Sequence, residues 1–186
     1  MYLTRFVFYS ENVGLKSERP SAEHIKSILL SCSRYTFASG ISGALIFNES
    51  WFVQVMEGER GLTTRSMLSL VQDPRHRAPV LIRAASVDER RFPGWTVGYA
   101  GHSEAIDALY LRHGIVSGFH PVGMTADSVE NLLADMASLN SPFVLRSRPA
   151  TPVAASPAPL HPSPAGERGE IIRVRPTLPG KPGLAG

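Results

Sequence analysis

The chain has 186 residues, 43% of them hydrophobic and 19% charged, which is enough to bury one core and carry an additional segment. Its net charge of +3 arises from residues 141–186, which carry +4, so the other 140 residues offer no basic surface and nucleic-acid binding is not expected. No apolar run approaches the ~18 residues of a membrane helix and no signal peptide is present, so we expect a cytoplasmic protein without membrane contact.

The first two predicted elements are a strand and a helix. Residues 3–10 predict a strand, and Ser21 is a candidate cap for a helix that extends to about Arg34. The only cysteine, Cys32, lies in this helix, so the chain cannot form an internal disulfide. One cysteine and six scattered histidines do not suggest a metal site.

Residues 41–57 predict a β-hairpin that contains one amide, Gln54, among apolar side chains. Asn48-Glu49-Ser50 has the composition of a hairpin turn. A buried Gln54 needs a hydrogen-bond partner, whereas a Gln54 on an open face of the sheet would be solvated. The spacing alone leaves both alternatives open.

The remaining periodicities complete an α+β pattern. A helix over about 61–72, with Leu62, Met67, Leu68, Leu70 and Val71 expected to be buried, is followed by strands at 80–87 and 92–99. The order βαββαββ predicts a ferredoxin-like α+β sandwich. Two further helices, at 103–114 and at 125–138 with a Thr125 cap, are expected on the other face of the sheet and would keep Gln54 from water.

The C-terminal segment differs from the rest in composition. Residues 141–186 contain ten of the fifteen prolines and one aromatic residue, Phe143. Such a segment cannot bury enough apolar surface to offset its ordering entropy. We therefore predict a core at 1–100, a helical cap at 101–140 and a disordered, basic tail at 141–186.

Five short motifs, in this order and spacing, resemble the BLUF domain, a blue-light sensor that uses flavin. They are Arg5-Phe-Val-Phe-Tyr-Ser10, Ile41-Ser-Gly-Ala-Leu45, Phe52-Val-Gln-Val-Met-Glu-Gly58, Asp73-Pro-Arg-His76 and Arg90-Arg-Phe-Pro-Gly-Trp95. The resemblance covers residues 1 to about 100. It implies an FAD held between the two helices of the core, a Gln that bridges the flavin and a Tyr, and a light-driven change in that hydrogen-bond set.

The resemblance also implies roles for individual residues. Those that match cofactor-binding positions are Gln54, Thr36, Ile28, Leu70, Arg75 and His76. Those that match switching positions are Gln54, Trp95, Phe8 and Val97. Without the resemblance, Ile28 and Leu70 would be ordinary core residues and Arg75 a helix C-terminal cap.

Three of these residues differ from those expected in the family. Phe8 stands where the family has its photoactive Tyr, and Tyr9 cannot replace it because one step along a strand turns the side chain to the opposite face. Thr36 stands where the family has a flavin-binding Asn, and Val97 where it usually has Met. One lost hydrogen bond weakens binding by about 0.5–1.5 kcal/mol. We therefore expect FAD binding of reduced affinity and an impaired photocycle.

The sequence supports two functional hypotheses. The first is a BLUF-type photoreceptor that binds FAD, forms homo-oligomers and signals to a downstream protein partner. The second is a cofactor-free interaction module that kept the fold. An enzyme is not expected, because no Gly-x-Ser-x-Gly motif is present and Glu11-Asn12-Val13-Gly14 does not resemble an anion-binding loop.

Overall fold

The computed structural model describes residues 3–13, 22–101, 103–115 and 118–147, without the side chains of Ala22, His24 and residues 33–39. The strands are β1 (Leu3–Asn12), β2 (Ser42–Phe47), β3 (Trp51–Glu59), β4 (His76–Val87), β5 (Trp95–Tyr99) and β6 (Val144–Arg146). The helices are α1 (Ala22–Ser39), α2 (Arg60–Val71), α3 (Glu104–Arg112) and α4 (Ala126–Ser138). None of these helices is long and apolar enough to cross a membrane.

The six strands form one sheet in the order β4-β1-β3-β2-β5-β6. Strands β2 and β5 are parallel, and the other neighbours are antiparallel. The predicted ferredoxin-like α+β sandwich is confirmed, with β6 as an additional strand. The Thr125 cap is also confirmed, since its Oγ1 accepts a hydrogen bond from the Ser128 backbone N–H.

Alternate side chains of the strands enter different cores. Phe6, Phe8 and Met56 pack against α1 and α2, whereas Val7 and Val55 pack against α3 and α4. Gly98 of β5 permits close packing on the α3/α4 face, because an added Cβ would collide with Met136 of α4. The appended helices therefore lie on the predicted face, but Gln54 lies on the other one and is covered by α1 and α2.

A network of buried charges holds α4 on the sheet. The fully buried Glu57 carboxylate accepts hydrogen bonds from Arg5 Nε at 2.6 Å and from the Phe92 backbone N–H at 2.8 Å. Glu130 of α4, only 3% exposed, accepts from Arg5 Nη1 at 2.9 Å and from Arg83. Each buried carboxylate thus has charged and hydrogen-bonding partners, as its removal from water requires.

Other sequence expectations are also wrong in the described part of the chain, and the first concerns the tail. The predicted disordered tail does not begin at 141, because Val144–Arg146 pair with β5. Its Val144 and Leu145 enter opposite cores, which gives this short run an apolar partner on each face. The remaining residues of that prediction, 148–186, lie outside the described residues.

The second wrong expectation concerns α2. Leu68 and Val71 are 59% and 43% exposed. Leu62, Met67 and Leu70 take the side of the helix that faces the sheet. The helical repeat turns positions 68 and 71 away from that side. The predicted Ser21 cap lies outside the described residues, and α1 ends at Ser39 and not near Arg34.

Candidate functional site

A cavity of about 200 Å³ lies between α1 and α2, above the sheet. Its walls are largely apolar, with Ile28 on α1 facing the same space as Leu70 on α2. Strand residues form the rest of the apolar lining, namely Ile41, Leu45, Phe52, Met56 and Trp95. Apolar walls with a few polar groups are typical of a small-molecule site.

Gln54 is the buried amide of this cavity. It lies on β3, is 4% exposed and contributes to the cavity lining. Its side chain makes no hydrogen bond with any residue in the described part of the chain, and it borders the cavity. The position of Gln54 predicts a ligand that has an apolar surface and an edge that can donate or accept a hydrogen bond.

A histidine and a serine form a second polar group at the cavity. His76, the first residue of β4, lines the cavity, and its Nδ1 is 2.7 Å from Oγ of the buried Ser10. The ring also packs on Phe52, with 4.5 Å between ring centroids. Burial lowers the pKa of His76 to about 4, against the opposing effect of Asp73. The imidazole is therefore neutral near pH 7.

An ion pair lies at the polar rim of the cavity. Arg75 donates to both carboxylate oxygens of Asp73, through Nε at 2.9 Å and Nη2 at 2.5 Å. These hydrogen bonds lower the pKa of Asp73 to about 2. Asp73 thus holds the Arg75 side chain in place beside His76, and all three residues line the cavity.

The structure brings most of the predicted cofactor-binding residues together. Gln54, Ile28, Leu70, Arg75 and His76 all line the one cavity. Thr36 belongs to α1, but its side chain lies outside the described part of the chain.

The predicted switching residues divide between the cavity and the adjoining core. Trp95 lines the cavity, is 2% exposed and donates from Nε1 to the Ile41 carbonyl at 3.2 Å. Phe8 is fully buried and lies directly opposite Gln54 in the β1–β3 register, but it is not part of the lining. Val97 is buried in the core beside Leu45. Tyr9 packs on the opposite face against Trp51, as its strand position predicts.

Several polar lining residues were missed from the sequence. They come from both helices, from the segment after α2 and from the end of β1, namely Ser27, Ser31, Cys32, Ser66, Ser69, Asp73 and Asn12. Ser27 and Ser31 are four residues apart and adjacent to Ile28 and Cys32. The spacing therefore predicts a polar stripe along this edge of the helix. Burial raises the pKa of the Cys32 thiol to about 12, which keeps it protonated at neutral pH.

These residues fit the isoalloxazine ring of a flavin. Ile28 and Leu70 present apolar surfaces on opposing helices, as a flat aromatic ring requires. The unpartnered Gln54 amide supplies a donor and an acceptor for the polar edge of such a ring. The protein thus belongs to the class of α+β sandwiches that have a cavity between two helices on one face of the sheet.

Comparison with known proteins identifies the family within that class. Residues 3–98, more than half of the chain, match the family model of BLUF, sensors of blue-light using FAD. The chain therefore belongs to the BLUF family.

Individual relatives agree with this assignment. The chain is 31% identical over 74 residues to photoactivated adenylate cyclase subunit beta of Euglena longa, across 39% of this chain and 9% of that protein. It is 38% identical over 66 residues to subunit alpha of Euglena gracilis, across 33% of this chain and 6% of that protein. The chain thus spans less than a tenth of the length of these relatives.

Two solved structures show the same fold. The photo-activated state of BlsA superposes with a TM-score of 0.57 at 22% identity, over 70% of this chain and 91% of that one. The dark-state structure of BlrB, a BLUF protein, gives a TM-score of 0.56 at 20% identity, over 72% and 96% of the two chains.

Proposed function

We propose that the chain binds FAD in the cavity between α1 and α2 and acts as a blue-light sensory domain with an altered photocycle. The observation that carries this proposal is the Gln54 amide, which is buried, lines the cavity and has no partner among the described residues. A bound flavin supplies the absorption of blue light and an electron acceptor. The protein supplies the packing and the hydrogen bonds described below.

The apolar walls fix the orientation of the ring. Ile28 and Leu70 hold it between the helices, and Met56 and Trp95 bound it from the sheet. These side chains are partly or fully buried, so they exclude water from the ring and strengthen the hydrogen bonds made there.

The polar groups divide between two parts of the cavity lining. Gln54 lies on the sheet and serves the ring edge, while His76 and Arg75 follow α2. Because burial lowers the pKa of His76 to about 4, the neutral ring offers one donor and one acceptor without adding charge. The Asp73 carboxylate neutralises Arg75, so this rim contributes hydrogen bonds with little net charge.

Phe8 is the reason to expect an altered photocycle. It lies opposite Gln54, is fully buried and has no hydroxyl group. The Gln54 amide therefore gains no hydrogen bond from this position, and Phe8 can neither release a proton nor give up an electron as readily as a phenol. A light response in this chain requires a donor other than the residue at position 8.

The absorption spectrum of the purified chain with added FAD tests this proposal. We expect protein-bound flavin, seen as structured flavin bands after removal of free FAD, and no normal reversible red shift under blue light. The double variant Phe8→Tyr, Thr36→Asn should gain that red shift. The single variant Thr36→Asn serves as the control, because it leaves position 8 without a hydroxyl.

Two results would contradict parts of the proposal. A folded protein that retains no FAD would favour the cofactor-free interaction module. A normal red shift in the unmodified chain would show that the Phe8 argument is wrong.

The output of the domain follows from the same proposal. We infer that it forms homo-oligomers and signals by binding a downstream protein partner, with no catalysis of its own. The cyclase relatives match over less than a tenth of their length, so they support a sensory role and not a cyclase activity for this chain.

A further inference from the structure

Trp95 connects the cavity to the last described residue of the chain. Its indole lines the cavity, while both of its backbone groups bond to Ser147. The Trp95 N–H donates to Ser147 Oγ at 2.9 Å, and the Ser147 N–H donates to the Trp95 carbonyl at 2.8 Å. One residue thus contacts the cavity with its side chain and Ser147 with both of its backbone groups.

The residues of β6 make a second connection through packing. Leu145 lies opposite Val97 in the register and packs in the core that contains the cavity residues Leu45 and Phe52. Val144 lies on the other face, in the core of α3 and α4. The three-residue strand thus joins the cavity wall to the core of the helical cap.

Arg146 connects the same strand to α4. Its Nε donates to the Ala137 carbonyl at 2.6 Å, and its guanidinium also donates to the Leu139 carbonyl. These carbonyls lie in the last turn of α4 and just beyond its end, where intrahelical partners are lacking. The position of β6 is therefore set from both sides of the sheet.

The short length of β6 and its location at the edge of the sheet allow its pairing with β5 to open locally. It has three residues and lies at the edge of the sheet, where few contacts oppose local opening. After Ser147 the sequence continues into residues 148–186, which carry five basic and two acidic residues. The chain thus passes from a coupled strand directly into a segment with a net charge of +3.

We propose that β6 is a coupling strand, whose pairing with β5 reports the state of the cavity to the point where residues 148–186 begin. This inference rests on the proposed flavin site. Ligand in the cavity restrains Trp95 and Leu45, and through them strengthens the bonds at Ser147. Coupling between two sites is reciprocal. The loss of the Ser147 bonds should therefore lower the affinity of the cavity for its ligand by the factor by which the ligand stabilises those bonds.

Hydrogen exchange in the full chain tests the coupling. With FAD bound in the dark, we expect the Ser147 amide to exchange at least about threefold more slowly than without FAD, while amides of β4 change less. Trypsin gives a second readout at the Arg146–Ser147 bond, because the next Arg–Xaa bond, Arg148–Pro149, is a poor substrate. Cleavage there should slow in parallel.

The variant Ser147→Ala tests the reciprocal effect. It removes the acceptor of the Trp95 N–H without touching the cavity, so we expect FAD affinity to fall about threefold. Ser138→Ala is the matched control, because the Ser138 hydroxyl donates to the Ala134 carbonyl of its own helix and bonds no other described residue. The coupling would be overturned if both variants bound FAD with equal affinity and if FAD left the exchange rate of the Ser147 amide in the unmodified chain unchanged.

A third variant keeps the coupling testable if FAD does not bind, in which case the proposed function fails first. Trp95→Phe removes the bond from Nε1 to the Ile41 carbonyl and shortens the ring in the cavity. In flavin-free protein it should speed exchange at Ser147 at least about threefold relative to the amide of Val7. An unchanged rate would show that the cavity and β6 are independent.

Discussion

The two faces of the sheet are packed differently, although the same strands supply both. On the α3/α4 face, Val7, Val55, Leu132 and Leu133 are fully buried and form a continuous core. On the α1/α2 face, the helices leave a cavity of about 200 Å³, and Gln54 lines it without a hydrogen-bond partner among the described residues. The α3/α4 face is closely packed, whereas the α1/α2 face leaves a space that the proposed flavin would fill.

The polar groups show the same difference. The buried carboxylate of Glu130, on the α3/α4 face, is paired with Arg5 and Arg83. The amide of Gln54 borders the cavity and makes no hydrogen bond with any residue in the described part of the chain. A polar group that borders a cavity can bond a ligand there, so the contrast supports the proposed flavin site by hydrogen bonding and not only by shape.

The largest expected effect is a loss of stability on the α3/α4 face. Leu132→Ala should lower the free energy of unfolding by about 2–5 kcal/mol, because the fully buried Leu132 leaves a cavity among close-packed neighbours. Leu70→Ala, at a half-buried residue that already borders a cavity, should cost about 1 kcal/mol or less. Urea unfolding of flavin-free protein compares the two. Equal losses would contradict the difference between the faces.

The charge network on the α3/α4 face should give the next largest effect on stability. Glu130→Ala removes the buried acceptor of Arg5 and Arg83, and should cost about 1.5–3 kcal/mol of unfolding free energy. Asp127→Ala is the matched control on the same helix, since Asp127 also pairs with Arg83 but its side chain is 79% exposed. It should cost less than about 1 kcal/mol.

Gln54, on the α1/α2 face, should behave in the opposite way to Glu130. Gln54→Leu should leave the unfolding free energy of flavin-free protein unchanged or raise it, because no hydrogen bond is lost and apolar area is added. The same change should weaken FAD binding by about 0.5–1.5 kcal/mol, or roughly threefold to tenfold. Gln72→Leu, at an exposed position after α2, should change neither. Loss of flavin-free stability in Gln54→Leu would mean that the amide already has a partner.

The remaining expected effect is a pH dependence of stability. His76 has a folded pKa of about 4 against 6.5 when unfolded, so the unfolded chain binds a proton first as the pH falls. Its contribution to stability is complete above about pH 6.5 and decreases as the pH falls toward 4. The difference in unfolding free energy between wild type and His76→Asn should narrow over that range. A difference independent of pH would contradict the burial of a neutral His76 beside Asp73, Arg75 and Ser10.

Much of the fold was predictable because local and global signals agree. Strand alternation placed Phe8 and Tyr9 on opposite faces, and helical spacing placed Val129, Leu132, Leu133 and Met136 of α4 in the core. The burial of Gln54 remained open in the sequence, since it depends on which helices cover which face.

The remaining features depend on contacts that composition and periodicity do not express. Strand β6 was hidden by the proline-rich composition around it, because its three residues are stabilised by non-local contacts with β5, the two cores and the end of α4. Ser27, Ser31, Ser66 and Ser69 resemble any solvated helix edge until α1 and α2 are placed over the same cavity.

The most direct test of the flavin site is the side-chain amide of Gln54 itself. The chain has two glutamines, Gln54 and Gln72, so selective ¹⁵N-glutamine labelling gives two side-chain signals, with the exposed Gln72 as an internal reference. On addition of FAD, the Gln54 amide protons should shift and exchange more slowly with water, while those of Gln72 should not change. An unchanged Gln54 signal in flavin-loaded protein would contradict the assignment of this amide to the flavin.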